Sequence, residues 1–135
     1  MAILDNLGKY RNTGILLLRI GLGVMMMLHG LPKLKGDVQS WTALGQSMSH
    51  FGINFWPAFW GFMAAATETF GGFLFVLGLC FRPVSLLLMF NLIVAAVHHL
   101  KAGDGLMGAS HAIELAIVFL SMIFIGPGKY SVDKK

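Results

Sequence analysis

WPAFWGFMAAATETFGGFLFVLG, residues 56–78, is long enough to cross a bilayer and places one carboxylate, Glu68, near its middle. An acidic side chain at that depth costs about 3 kcal/mol on insertion scales, which the surrounding apolar residues outweigh. The charge still needs partners inside the protein, because ionisable groups within spans almost always face a bundle interior. The stretch therefore predicts a membrane helix that packs against others, with Glu68 on its buried side.

The composition of the chain is also that of a membrane protein. Of its 135 residues, 56% are hydrophobic and 12% are charged, whereas soluble domains have about 25% charged residues. The formal net charge of +4 comes without the basic patch that nucleic-acid binding needs. The single cysteine, Cys80, excludes an internal disulfide and a Cys-x-x-Cys pair. We expect one transmembrane domain, residues 1–135, that does not bind nucleic acid.

Four apolar stretches predict the membrane spans, which cover residues 13–31, 56–78, 83–100 and 109–125. Short connections after the second and third spans make successive helices antiparallel neighbours. The predicted fold is therefore an all-α polytopic membrane protein, an antiparallel four-helix transmembrane bundle. The longest connection, residues 32–55, has amphipathic character over 40–48, which favours an interfacial half-helix, with an ordinary ordered loop as the alternative.

Basic residues outside the spans predict the orientation. Six lie at the N-terminus, in the second loop and in the C-terminal tail, and three lie in the other two loops; they are Lys9, Arg11, Arg82, Lys129, Lys134 and Lys135 against Lys33, Lys35 and Lys101. Because cytoplasmic loops carry the excess of Lys and Arg, both termini are predicted to be cytoplasmic.

With this topology, polar side chains of different spans converge toward one end of the bundle. The candidate catalytic residues are Glu68, Glu114, His98 and His111, and the candidate ligand-binding residues are Arg19, His29, Lys33, Asn91 and His99. We expect Arg19 of the first span to pair with Glu68. Carboxylates and imidazoles in a low-dielectric interior suit proton transfer to a bound redox ligand. Alternatively, the same groups only hold the helices together, at about 0.6 kcal/mol per contact.

Metal and haem sites are less favoured by these residues. His111-x-x-Glu114 offers two ligand types one helical turn apart, but a di-iron bundle needs further carboxylates that the chain lacks. Ligation of a haem between His29 and either His98 or His99 is geometrically conceivable. We therefore predict no metal site and keep haem behind quinone as a candidate cofactor.

Several short motifs follow one another in order along the chain. They are Leu-Leu-Arg19-Ile, His29-Gly30-x-x-Lys33, Glu68-x-x-Gly71-Gly72, Leu77-Gly78-Leu79-x-x-Arg82, Glu114-Leu-Ala and Gly126-Pro127-Gly128-Lys129-Tyr130-Ser131. In their order and spacing, over nearly the whole chain, they resemble the DoxX family.

This resemblance implies a bacterial inner-membrane protein of four spans. The family is named after small subunits linked to archaeal quinol oxidase and thiosulfate:quinone oxidoreductase. The resemblance also implies that Arg19, Gly30, Lys33, Glu68 and Glu114 belong to the polar pattern of the family, whereas His111 stands where no fixed residue is expected.

Two classes of function remain open on the sequence. The first is a component of a membrane oxidoreductase that binds a quinone or similar lipophilic redox molecule. Because no flavin or dinucleotide fingerprint is present, the electrons would come from the ligand, a haem or a partner. The second is a non-enzymatic scaffold or assembly factor that docks partner helices. A transporter is less favoured, since four spans leave little room for alternating access. The expected partners are the lipid bilayer and either further copies of the chain or other membrane subunits.

Overall fold

The computed structural model describes residues 2–133 and contains four helices that are long and apolar enough to cross a membrane. We call them spans 1 to 4; they are Ile3–Leu34, Pro57–Leu77, Phe81–Lys101 and Gly105–Ile125. The described residues form no β-strand. The predicted all-α polytopic bundle is therefore confirmed, with helices that extend somewhat beyond the most apolar segments.

Each span packs against the next one along the chain, and the core lies where the spans meet. Three aromatic rings from spans 2, 3 and 4 form its centre. The centroid of the Phe75 ring lies 4.8 Å from that of Phe81 and 5.1 Å from that of Phe119. All three side chains are fully buried. They lie toward the tail end of the bundle, by which we mean the end with residues 78–80 and 126–133.

Arg19 fastens the tail end rather than the centre of the bundle. It is 2% exposed and donates to four backbone carbonyl oxygens, those of Phe75, Val76, Pro127 and Tyr130. The carbonyls of Phe75 and Val76 belong to the last turn of span 2; that of Phe75 also accepts from the backbone N–H of Gly78, whereas Arg19 supplies the donor for Val76. Arg19 thus joins span 1, the end of span 2 and the C-terminal segment.

The C-terminal segment also caps span 3. The carboxylate of Asp133 accepts hydrogen bonds from the backbone N–H groups of Cys80 and Phe81, at 2.9 and 2.7 Å. N–H groups at the start of a helix have no acceptor within the helix, so the Asp133 carboxylate supplies one. The N–H groups of Val132 and Asp133 in turn donate to the carbonyls of Leu77 and Gly78.

The long connection between spans 1 and 2 is itself helical. An α-helix, Val38–Gly45, is followed by a 3-10 helix, Gln46–Phe51, and we call the two together the loop helices. Asp37 caps the first of them, because its carboxylate accepts from the backbone N–H and the hydroxyl of Ser40; these bonds lower the pKa of Asp37 below its ordinary value.

The loop helices lie tightly against span 2. Cβ atoms added to Gly45 and Gly61 would collide with backbone atoms of Pro57 and Trp41, so only glycine allows this approach. The indole N–H of Trp41 also donates to the carbonyl of Lys33 at 3.0 Å. The loop helices therefore form a closely packed cover over the loop end of the bundle, the end opposite the tail.

Candidate functional site

Glu68 lies at the centre of a polar network between three spans. Its side chain accepts hydrogen bonds from the Nζ of Lys33 at 3.0 Å to each carboxylate oxygen and from the Nδ2 of Asn91 at 2.9 Å. Glu68 is 7% exposed, so its charge is buried and fully compensated by a cation and an amide. The expectation that Glu68 is a buried, partnered carboxylate is confirmed.

The predicted ion pair between Arg19 and Glu68 is wrong, and helix geometry explains why. Arg19 lies beside Phe75, which is seven residues beyond Glu68 and so about 10 Å nearer the tail end. Lys33 starts from the loop end of span 1 instead. Its long aliphatic stem lets the ammonium group reach inward to Glu68 while the side chain stays 42% exposed.

A local distortion of span 2 positions Glu68. Residues Thr67–Gly71 form a π-helical turn between the α-helical parts Pro57–Ala66 and Gly72–Leu77, and single π-turns of this kind are frequent at functional sites. On the facing span, a Cβ at Gly30 would lie 2.6 Å from the Cβ of Glu68. Gly30 therefore allows span 1 to approach Glu68 closely.

A cavity of about 230 Å³ adjoins this network. Its walls come from spans 2 and 3 and from the loop helices, and most of its lining side chains are apolar; they are Leu44, Gly45, Ser47, Met48, Trp60, Met63, Ala64, Thr67, Leu87, Phe90, Val94 and Ala95, with Lys33, Glu68 and Asn91. The site is thus an apolar chamber with one charged and hydrogen-bonding wall, which is the usual character of a small-molecule site.

Trp60 gives the cavity a second polar feature. Its indole Nε1 is buried and has no hydrogen-bond acceptor among the described residues, although Trp60 lines the cavity. A buried N–H without an acceptor is costly, because it has lost water and gained no partner. A ligand with an acceptor oxygen would satisfy it.

The cavity opens on the outer surface of the bundle between spans 2 and 3. Met63, Leu87 and Phe90 line it and are also exposed. A second cavity of about 230 Å³ continues along the same two spans toward the tail end and shares Thr67 and Leu87 with the first. Together they form a lateral groove that runs from the polar network along the lipid-facing surface.

Of the nine candidate residues, three meet at this site: Lys33, Glu68 and Asn91. Sequence reasoning missed Trp60 and the part of the loop helices that covers the cavity. Helical spacing offered little signal for Trp60, because it lies eight residues before Glu68 and so about 80° away around span 2, on an adjoining face.

The histidines share the loop end of the bundle but do not line the cavity. The ring centroids of His29 and His111 are 5.7 Å apart. The ring centroid of His98 lies 5.8 Å from that of His50 and 5.9 Å from that of His99. The Nδ1 of His99 also lies 2.7 Å from a carboxylate oxygen of Asp104. The catalytic and ligand-binding roles predicted for these histidines stay predictions.

Glu114 also lies outside the cavity. It is exposed on span 4 and makes no hydrogen bond or ion pair with any residue of 2–133. Among those residues, no group of three or more His, Cys, Asp or Glu side chains is arranged to hold a metal ion. The two predicted carboxylates are therefore in different places: Glu68 lies in the interior network, and Glu114 lies on the outer surface of the bundle.

Four apolar spans, with a buried Glu68 held by Lys33 and Asn91, define a polytopic membrane protein with an intramembrane cavity. The family model DoxX matches residues 14–100, and the chain belongs to the DoxX family. The matched region contains all three residues of the network but ends before span 4 and Glu114.

Curated relatives agree with this assignment. The chain is similar to "Inner membrane protein YphA" of Escherichia coli, with 27% identity over 95% of the chain and 94% of that protein. It is 33% identical to "Putative oxidoreductase CatD" of Bacillus subtilis over 67% of the chain and 63% of that protein. An uncharacterized Haemophilus influenzae protein is 28% identical over 98% of the chain and 97% of its own length. No solved structure gives a significant match.

Proposed function

We propose that the chain binds a lipophilic redox molecule of the quinone class in the cavity, as a component of a membrane oxidoreductase system in the bacterial inner membrane. The observation that carries this proposal is an apolar chamber with one wall formed by Lys33, Glu68 and Asn91. A flat, apolar ring with carbonyl oxygens matches such a chamber, because its body needs apolar contact and its oxygens need donors.

Three side chains with N–H groups border the cavity, and only that of Trp60 has no acceptor among the described residues. The N–H groups of Lys33 and Asn91 are directed at Glu68. Glu68 is the group that takes or supplies a proton as the ligand changes its redox state. Its carboxylate lies at the edge of the cavity between a cation and an amide, so it is within reach of a bound ligand for proton exchange.

The chain supplies position and protons, and a partner supplies electrons. Conversion of a quinone to a quinol takes two electrons and two protons, and the sequence contains no dinucleotide fingerprint that would hold an electron donor. The names of two relatives, an inner membrane protein and a putative oxidoreductase, support the location and the reaction class.

We further propose that the ligand enters from the bilayer. The loop helices cover the loop end of the cavity and are held against span 2 by glycine contacts at Gly45 and Gly61. The opening between spans 2 and 3, beside Met63, Leu87 and Phe90, faces the region that lipid would occupy. An apolar ligand dissolved in the membrane therefore has a direct lateral path.

Equilibrium binding tests this proposal. Purified protein in lipid nanodiscs is titrated with a short-chain ubiquinone and, separately, with a menaquinone analogue. Trp60→Phe removes the free indole N–H but keeps most of the ring, so we expect about tenfold weaker binding, the loss of one hydrogen bond. Glu68→Gln keeps the size of the side chain and removes the carboxylate that accepts from Lys33 and Asn91, so it should change the affinity.

Glu114→Gln is the matched control, because it changes a carboxylate at similar depth outside the cavity. Its affinity should equal that of the wild type. The proposal would be contradicted if the wild type bound neither quinone saturably. It would also be contradicted if Trp60→Phe and Glu68→Gln bound quinone with the affinity of the wild type. Melting temperatures of all variants, measured in the same nanodiscs, identify any loss that results from unfolding.

A further inference from the structure

Glu114 occupies an unusual position for a carboxylate. It is nine residues from the start of span 4 at Gly105 and eleven from its end at Ile125, so about 14 Å of helix separates it from the nearer end. Its side chain is exposed on the outside of the bundle and has no partner within residues 2–133. Glu68, at similar depth in span 2, is by contrast buried and held by two donors.

A carboxylate on this surface is unfavourable if lipid covers it. Ionisable groups within spans almost always pair or face a protein interior, since the hydrocarbon offers no hydrogen bond. Glu114 is too deep to reach the headgroup region with its short side chain. Another protein surface must therefore supply its hydrogen-bond donor.

The surface around Glu114 is suited to close helix packing. On a helical projection, Ser110 lies one turn before Glu114 and Ser121 two turns after it, both on nearly the same face. His111 lies beside Glu114 at a spacing of three residues and is also exposed. We call Ser110, His111, Glu114 and Ser121 the span 4 polar stripe. Small residues such as serine allow neighbouring helix backbones to approach closely.

We propose that the span 4 polar stripe is the interface with a second copy of the chain. In a twofold dimer whose axis is parallel to the membrane normal, the two copies of span 4 run in the same direction at the same depth. His111 and Glu114 differ by three residues, about 4.5 Å along the helix. The imidazole of each copy is thus within reach of the carboxylate of the other, and symmetry forms this bond twice.

The sequence of span 4 favours a second copy over an unrelated subunit. The stripe carries both the donor and the acceptor, so it is complementary to itself, as the common twofold interface requires. An interface built only for a foreign subunit would not need both groups on one face. The proposal does not depend on the quinone site, which lies between spans 2 and 3.

Cysteine crosslinking in native membranes tests the interface. Cys80 is first replaced by Asn, because its φ of 49° is a left-handed conformation that asparagine tolerates. Ser121→Cys then places a thiol on the stripe, and Leu86→Cys places one at a similar depth on the exposed surface of span 3. We expect dimer formation with Ser121→Cys to exceed that with Leu86→Cys at least tenfold. Equal crosslinking at the two positions, or none at Ser121→Cys, would overturn the proposal.

Reciprocal substitutions test the hydrogen bonds themselves. His111→Glu gives each chain two carboxylates, and Glu114→His gives each chain two imidazoles, so either variant alone should lose the Ser121→Cys crosslink. Co-expression of the two variants with different tags restores one complementary pair at each position, and we expect the mixed dimer to crosslink. Absence of the mixed dimer, although both variants retain the melting temperature of the wild type, would overturn the proposal. Crosslinking to a different protein in its place would also overturn it.

Discussion

Two residues show how a cation in a span can serve either a carboxylate or the backbone. Arg19 donates only to carbonyl oxygens at the tail end, whereas Lys33 donates to both oxygens of Glu68. A guanidinium group has five N–H donors in a fixed plane and suits several acceptors at once. A single ammonium group on a flexible stem suits one carboxylate near the end of a span.

This division predicts that Lys33 and Glu68 are coupled energetically. Lys33→Met should lower the free energy of unfolding by about 1.5 kcal/mol, the lower end for a charge-assisted hydrogen bond because the lysine side chain is partly exposed. The double variant Lys33→Met/Glu68→Gln should cost less than the sum of the two single variants. Chemical denaturation in detergent measures this. Lys35→Met, at an exposed lysine directly after span 1, is the control, and strict additivity would contradict the pairing.

Arg19 should instead be independent of Glu68. Arg19→Met removes the side-chain donor from four carbonyl oxygens, of which that of Phe75 keeps the backbone N–H of Gly78, and we expect the free energy of unfolding to fall by at least about 3 kcal/mol. Adding Glu68→Gln should contribute only its own loss of stability, so that the two losses add. A double-mutant cycle on melting data measures the coupling. A significant rescue would show that the two charges interact after all.

At the scale of elements, glycine contacts determine where the loop helices lie. Gly61 of span 2 lies against the backbone of Trp41, with no space for a Cβ, whereas a Cβ at Gly21 of span 1 would meet nothing within 4 Å. Because Gly45, Ser47 and Met48 of the loop helices line the cavity, their position and the shape of the cavity depend on this contact.

Gly61→Ala should therefore displace the loop helices and weaken ligand binding at least tenfold, while the spans stay folded. Gly21→Ala should leave both binding and the melting temperature unchanged or slightly raise the latter, because alanine reduces the entropy of the unfolded chain. Hydrogen exchange of residues 38–51 together with a quinone titration measures both effects. Unchanged exchange in Gly61→Ala would show that the contact does not hold the loop helices.

At the scale of the whole molecule, four spans place both chain ends on one side of the membrane. The basic-residue count predicts that this side is the cytoplasm. In a background without Cys80, Asp5→Cys should react with a membrane-impermeant thiol reagent only in inverted vesicles, and Lys35→Cys only in intact spheroplasts. If both cysteines reacted from the same side, the four-span topology would be contradicted. If Asp5→Cys reacted only in spheroplasts and Lys35→Cys only in inverted vesicles, the orientation would be the reverse of the predicted one.

Hydropathy and helical period are local properties, and they were sufficient to predict the four helices, their antiparallel order and the burial of Glu68. They also identified Lys33, Glu68 and Asn91 as candidates, because each lies on a polar position of an apolar helix. Rotation about the helix axis is harder to predict than position along it. Each residue turns the helix by about 100°, so a small error moves a side chain from the interior to the surface.

Only the tertiary structure decided which polar groups meet. Glu68 pairs with Lys33 and not Arg19, since Gly30 and the π-helical turn set the approach of spans 1 and 2, and Arg19 donates instead to carbonyls at the end of span 2 and in the C-terminal segment. Glu114 lies outside because the core packing of span 4 orients that helix. These outcomes depend on contacts between residues far apart in the chain, which no local pattern contains.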